Sequence, residues 1–94
     1  MRQLKEGMYA RSLAGHDKGK LYIVARISGG DIWLTDGAGR NLAHPKKKKR
    51  IHIQPDFQTA PSIKALIQKQ QTLTDTDIRN ALKCKEELSC QKQM

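Results

Sequence analysis

A mainly β domain of five short strands, closed or nearly closed as a small barrel and followed by a short α-helical tail, is the architecture this sequence predicts. Three observations predict it. Apolar residues alternate with period two through residues 7–35 and again at 51–54, glycine-containing turn signals separate those runs, and past residue 61 the apolar spacing changes to the three-and-four pattern of a helix. A chain of 94 residues has room for one small domain but little for a large catalytic cavity. The expected division is a barrel at 1–55, a linker at 56–61 and a tail of two amphipathic helices at 62–94.

The first strand is expected between Gly7 and Leu13, with Tyr9, Arg11 and Leu13 opposite Met8, Ala10 and Ser12. The second, Lys20 to Ile27, sets Leu21, Ile23, Ala25 and Ile27 on one face and Tyr22, Val24 and Arg26 on the other. Ser28-Gly29-Gly30-Asp31 then supplies turn residues before a third strand, Ile32 to Thr35, and Asp36-Gly37-Ala38-Gly39 supplies the next turn. Arg40 to Ala43 is expected as a short fourth strand and Ile51 to Gln54 as a fifth, with the segment from Pro55 to Pro61 as linker. After Pro61-Ser62, a start signal, Ile63, Leu66 and Ile67 recur at helical spacing. A second helix is expected from Thr74 or Asp75, with Asp75 and Asp77 in its first turn and Ile78, Ala81, Leu82 and Leu88 along one stripe. Such stripes need a cover, which the barrel, a second copy of the tail or a partner would provide.

Eighteen Lys and Arg against nine Asp and Glu give a net charge of +9, so polyanions are the natural partners. The charge is uneven: residues 1–60 carry twelve bases and five acids, a balance of +7, against +2 for residues 61–94. No run of about 20 apolar residues is present to cross a bilayer, nor the apolar core of a secretion signal, so a cytoplasmic protein with no membrane partner is expected. Cys84 and Cys90 fall on one expected helix, about 9 Å apart by rise, beyond disulfide reach and without zinc spacing. Two reduced thiols follow.

The chemistry concentrates at Gly15-His16-Asp17-Lys18-Gly19-Lys20, a loop between two strands. Its glycines allow backbone shapes that leave amide N–H groups open to a phosphate, with Lys18 and Lys20 beside them. Tyr9 through Thr35 resembles a KOW motif: an alternating strand, this loop, then a second alternating strand, with Gly19 at the place of the family's signature glycine. The continuation through Ile32-Trp33-Leu34-Thr35-Asp36-Gly37 is similar to ribosomal proteins of the fourteen-e, six-e and twenty-seven-e type, and the match covers roughly residues 6–54. The resemblance implies an SH3-like barrel that contacts ribosomal or other structured RNA, with Gly15–Lys20 as one contact edge. It also implies protein contacts, including with transcription machinery.

His44-Pro45 precedes Lys46-Lys47-Lys48-Lys49-Arg50, five consecutive cations that repel one another and are expected as an exposed loop. With Lys18, Lys20 and Arg40 they form the expected phosphate-binding set. Pro45 to Arg50 also resembles a nuclear import signal, which matters where the cell has a nucleus. Aromatic residues are few, Tyr9, Tyr22, Trp33 and Phe57, so recognition is expected to rest on phosphates and shape. Trp33 reads as core or barrel edge, with base stacking as the alternative. His16, His44 and His52 lack paired carboxylates or a nucleophile nearby, and neither a metal site, a cofactor motif nor an enzyme is expected. Two functions remain: an RNA-binding module associated with ribosomes or structured RNA, or a non-enzymatic adaptor docking on ribosomal or transcription machinery through the barrel or tail.

Overall fold

The computed structural model describes residues 3–92, with side chains described through residue 86. Five strands, β1 (Met8–Ser12), β2 (Leu21–Ser28), β3 (Asp31–Thr35), β4 (Lys46–Lys49) and β5 (Ile53–Thr59), form one antiparallel sheet in the order β4-β3-β2-β1-β5. The ladder joins neighbours only, so the sheet is open between β4 and β5. Two helices, α1 (Pro61–Gln68) and α2 (Asp75–Lys92), complete the described chain.

Both faces of the sheet are apolar at its centre, which is why four successive residues of β2, Leu21 to Val24, are all buried. One face gathers Ala10, Tyr22, Val24, Ile32, Leu34 and Ile53 into an inner cluster. The other, carrying Tyr9, Leu21 and Ile23, packs against Ala60 and Ile63 at the start of α1 and against Ile78 and Ala81 of α2. Ile63, Ile78, Ala81 and Leu82 of the expected stripes thus go to the sheet, among the covers open to them, whereas Ile67 stays exposed. Tyr9 secures the contact by donating from its hydroxyl to the Ala81 carbonyl at 3.2 Å, beneath the Lys85 ammonium.

Local chemistry explains the helix starts. Pro61 occupies the first turn of α1, where its missing N–H costs nothing. At α2, Thr74 Oγ1 accepts from the Asp77 amide while Asp77 Oδ2 accepts from the Thr74 amide, a reciprocal cap. The α2 start also clasps the β3–β4 loop: Asp75 Oδ1 accepts from the Leu42 amide at 2.8 Å, and Arg79 donates to the Gly37 carbonyl at 2.5 Å. A Cβ at Gly37 would collide with the Asp75 carbonyl, so this close approach requires glycine.

Several expectations change. Residues 40–43 form turns where a fourth strand was expected, because the Thr35 hydroxyl and the Asp36 amide both bond the Arg40 carbonyl and fold the segment back on itself. The fourth strand is instead the lysine run, expected as a loop. Ile51 and His52, the expected start of the fifth strand, fall in a 3₁₀ turn with Arg50, and β5 begins at Ile53 and continues through the expected linker to Thr59. Pro55 is tolerated there because β5 is an edge strand. A bulge at Ala25 between Val24 and Arg26 shifts the β2 register, moving Ile27 onto the inner cluster and Arg26 to the face of Trp33. Leu88 and Cys90 lie outside the described side chains; Cys84 is exposed with a free thiol.

Because Ile78 is fully buried between α2 and the sheet, Ile78→Ala is expected to cost about 2–4 kcal/mol. In urea, Trp33 emission, which reports the sheet, and helical circular dichroism should shift to lower midpoints together; a sheet transition that stays in place would show that the helices fold apart from it.

Candidate nucleic-acid interface

The loop from Leu13 to Lys20 leaves β1 and returns to β2 through two glycines at φ +86 and +89, Gly15 and Gly19. Its turn is tightly bonded. The amides of Lys18, Gly19 and Lys20 donate to the carbonyls of Gly15, Ser12 and Asp17, and Arg11 donates from below to the Gly19 carbonyl at 2.9 Å. These three amides are therefore spent, contrary to the expectation of an open amide edge there. Among the described residues, the amides of Gly15, His16 and Asp17 have no such partner. Gly15, His16, Lys18, Gly19 and Lys20 are exposed.

Asp17 alone turns inward, and its side chain is 11% exposed. Oδ1 accepts from the Ser12 hydroxyl at 2.9 Å and faces the Lys48 ammonium at 3.4 Å, while Oδ2 accepts from the Tyr22 hydroxyl at 2.7 Å and pairs with Lys46 at 3.0 Å. Lys48 also donates to the Ala14 carbonyl at 2.9 Å. Burial pushes the Asp17 carboxyl upward, but the hydrogen bonds from Tyr22, Lys46, Ser12 and Lys48 outweigh it and hold the group well below the usual carboxylate range. The same contact, after burial, raises the Tyr22 phenol far above its ordinary value.

This carboxylate explains how four lysines form a strand. Period two sends Lys46 and Lys48 inward to Asp17, and Lys47 and Lys49 outward, where Lys49 meets Asp31 at 3.1 Å and Lys47 pairs in register with Trp33. The expected phosphate-binding set is thus divided. Lys18, Lys20, Arg40, Lys47, Lys49 and Arg50 are exposed, whereas Lys46 and Lys48 are only partly so and their charge is spent on Asp17.

The β3–β4 loop joins the same edge. Lys20 pairs with Asp36 at 2.6 Å, and Asp36 accepts from the amides of Ala38 and Arg40, closing a turn that presents Arg40 to solvent. Burial works against the Asp36 charge, but Lys20 and those two amides lower its pKa overall. Asp17 therefore ties the Gly15–Lys20 loop to the inward face of β4 and Asp36 ties it to the turn bearing Arg40, while the exposed Lys47 and Lys49 lie on the opposite face of β4, so the expected set does not form a single surface. Asp17, expected within the Gly15–Lys20 contact edge, instead faces inward as a tie, a role for which an acid set between glycines and lysines was the available signal.

No helix among the described residues is long and apolar enough to cross a membrane. No family model matches the chain, and no curated protein matches it.

With its folded-state pKa depressed, Asp17 contributes stability that is complete above its unfolded pKa, about 4, and is lost as the pH falls toward the lower folded value. Asp17→Asn should lower stability by about 2–3 kcal/mol at pH 7 and flatten the loss below pH 4. Urea midpoints at pH 7 and pH 3 measure both; an unchanged midpoint at pH 7 contradicts the geometry.

Proposed function

We propose that this protein is a non-enzymatic RNA-binding module whose sheet is an SH3-like barrel of the KOW type, acting on ribosomal or other structured RNA. The observation that carries the reading is that an exposed glycine–lysine loop is joined, through the inward-facing Asp17, to a lysine strand whose other face exposes Lys47 and Lys49. The curl that lets Lys48 of edge strand β4 reach Ala14 beside β1 supports the barrel.

Phosphodiesters are the fitting ligand because the domain exposes several separate cations. Lys18, Lys20 and Arg40 are exposed at the loop edge, and Lys47 and Arg50 on and just after β4. Each one engaged releases counterions from the nucleic acid, which gives affinity without base identity. The adaptor reading rested on unpartnered amphipathic helices; with Ile63, Ile78 and Ala81 packed on the sheet, that motive is weaker.

Affinity for a structured RNA should fall with salt at a log–log slope of about −3 to −5. Lys18→Ala and Lys47→Ala should each reduce the slope by about 1, whereas Lys48→Met should chiefly lower stability. Filter binding across 50–300 mM salt, with urea melts of each variant, separates these effects. Absent or salt-insensitive binding rejects the function.

A further inference from the structure

The helices cover only part of the outer sheet face. Tyr9, Leu21 and Ile23 lie beneath them, but the strip formed by β3, β4 and the end of β2 beyond the Ala25 bulge carries Arg26, Trp33 and Lys47. Trp33 is half-buried and belongs to neither apolar cluster.

Its neighbours are cations. The Arg26 guanidinium lies 4.9 Å from the indole centroid, within cation–π range, and it is there because the bulge turns Arg26 to this face. Lys47 pairs opposite Trp33 in the ladder, so the two side chains stand side by side, and Lys49 follows two residues on, 68% exposed. Three cations and one acid, Asp31, surround one aromatic plane.

We propose that the strip of Arg26, Trp33 and Lys47 is a stacking site for an unpaired nucleobase. The base joins the Arg26–Trp33 stack, and its flanking phosphates meet Lys47 and Lys49. A flat π surface with an adjoining guanidinium suits a base exposed in a loop or bulge, whereas a paired base keeps its faces inside the helix. An acidic protein surface would use the cations and leave the ring without a planar partner. The inference rests on the RNA-binding reading and adds to it: the loop edge grips backbone phosphates, and this strip selects RNA containing unpaired bases.

Trp33 is the only tryptophan, so its emission reports this site alone. Two RNAs of equal phosphate count are compared, a hairpin with an unpaired loop and a blunt duplex. The hairpin should quench Trp33 emission and bind about tenfold more tightly than the duplex. Trp33→Ala should abolish that preference while leaving salt-dependent duplex binding in place, and Trp33→Phe should keep most of it. Equal affinity for both RNAs with unquenched emission overturns the stacking site but leaves the RNA-binding function standing. Failure of both RNAs to bind in a salt-dependent manner overturns the function and the site with it.

Discussion

Asp17 accepts hydrogen bonds from Ser12 and Tyr22 and faces Lys46 and Lys48, so one carboxylate ties β1, β2 and β4 to the loop that contains it. The strongest local conflict in the chain is the repulsion among five consecutive cations. Turned inward by strand periodicity, two of those charges meet a buried anion, while a third meets Asp31. Offsetting the repulsion in this way lets a segment of poor strand propensity act as an edge strand. The result also resists misassembly, because an all-lysine edge repels the edge of another copy.

The charge that remains is distributed rather than pooled. Inward lysines brace the fold and outward ones meet solvent, so the +7 of the first sixty residues exceeds what an RNA would encounter at the surface. The helices contribute by position more than by charge. Through Asp75 and Arg79, α2 holds the β3–β4 loop in place, and that loop in turn presents Arg40 next to Lys20 and Asp36. Removing the helices would therefore loosen the proposed binding edge as well as uncover Tyr9, Leu21 and Ile23.

Strands β1 to β3 and the starts of both helices were legible because their signals are local: period-two alternation, glycine turns, Pro61, and Asp75 and Asp77 in the first turn of α2. Strand β4 was not, since four lysines read as a strand only once a partner 29 to 31 residues earlier is known to neutralise two of them. Pro55 and Pro61 suggested a linker, but a proline on an edge strand loses no ladder bond, so β5 runs past the first of them. The bulge at Ala25 was equally hidden. It depends on β3 pairing, and it reverses which face receives Arg26 and Ile27. Of the binding surface, the loop residues and exposed cations could be named from sequence; the splitting of Lys46–Lys49 between two faces required the fold.

The loop acid and the lysine strand are coupled through the Asp17 contacts with Lys46 and Lys48. A double-mutant cycle with Asp17→Asn and Lys48→Met, measured by urea unfolding at neutral pH, tests this coupling most directly. Coupling of about 1–3 kcal/mol is the expected result. Additivity within about 0.3–0.5 kcal/mol would mean that the two side chains do not sense each other, and that the loop and strand are neighbours without being joined.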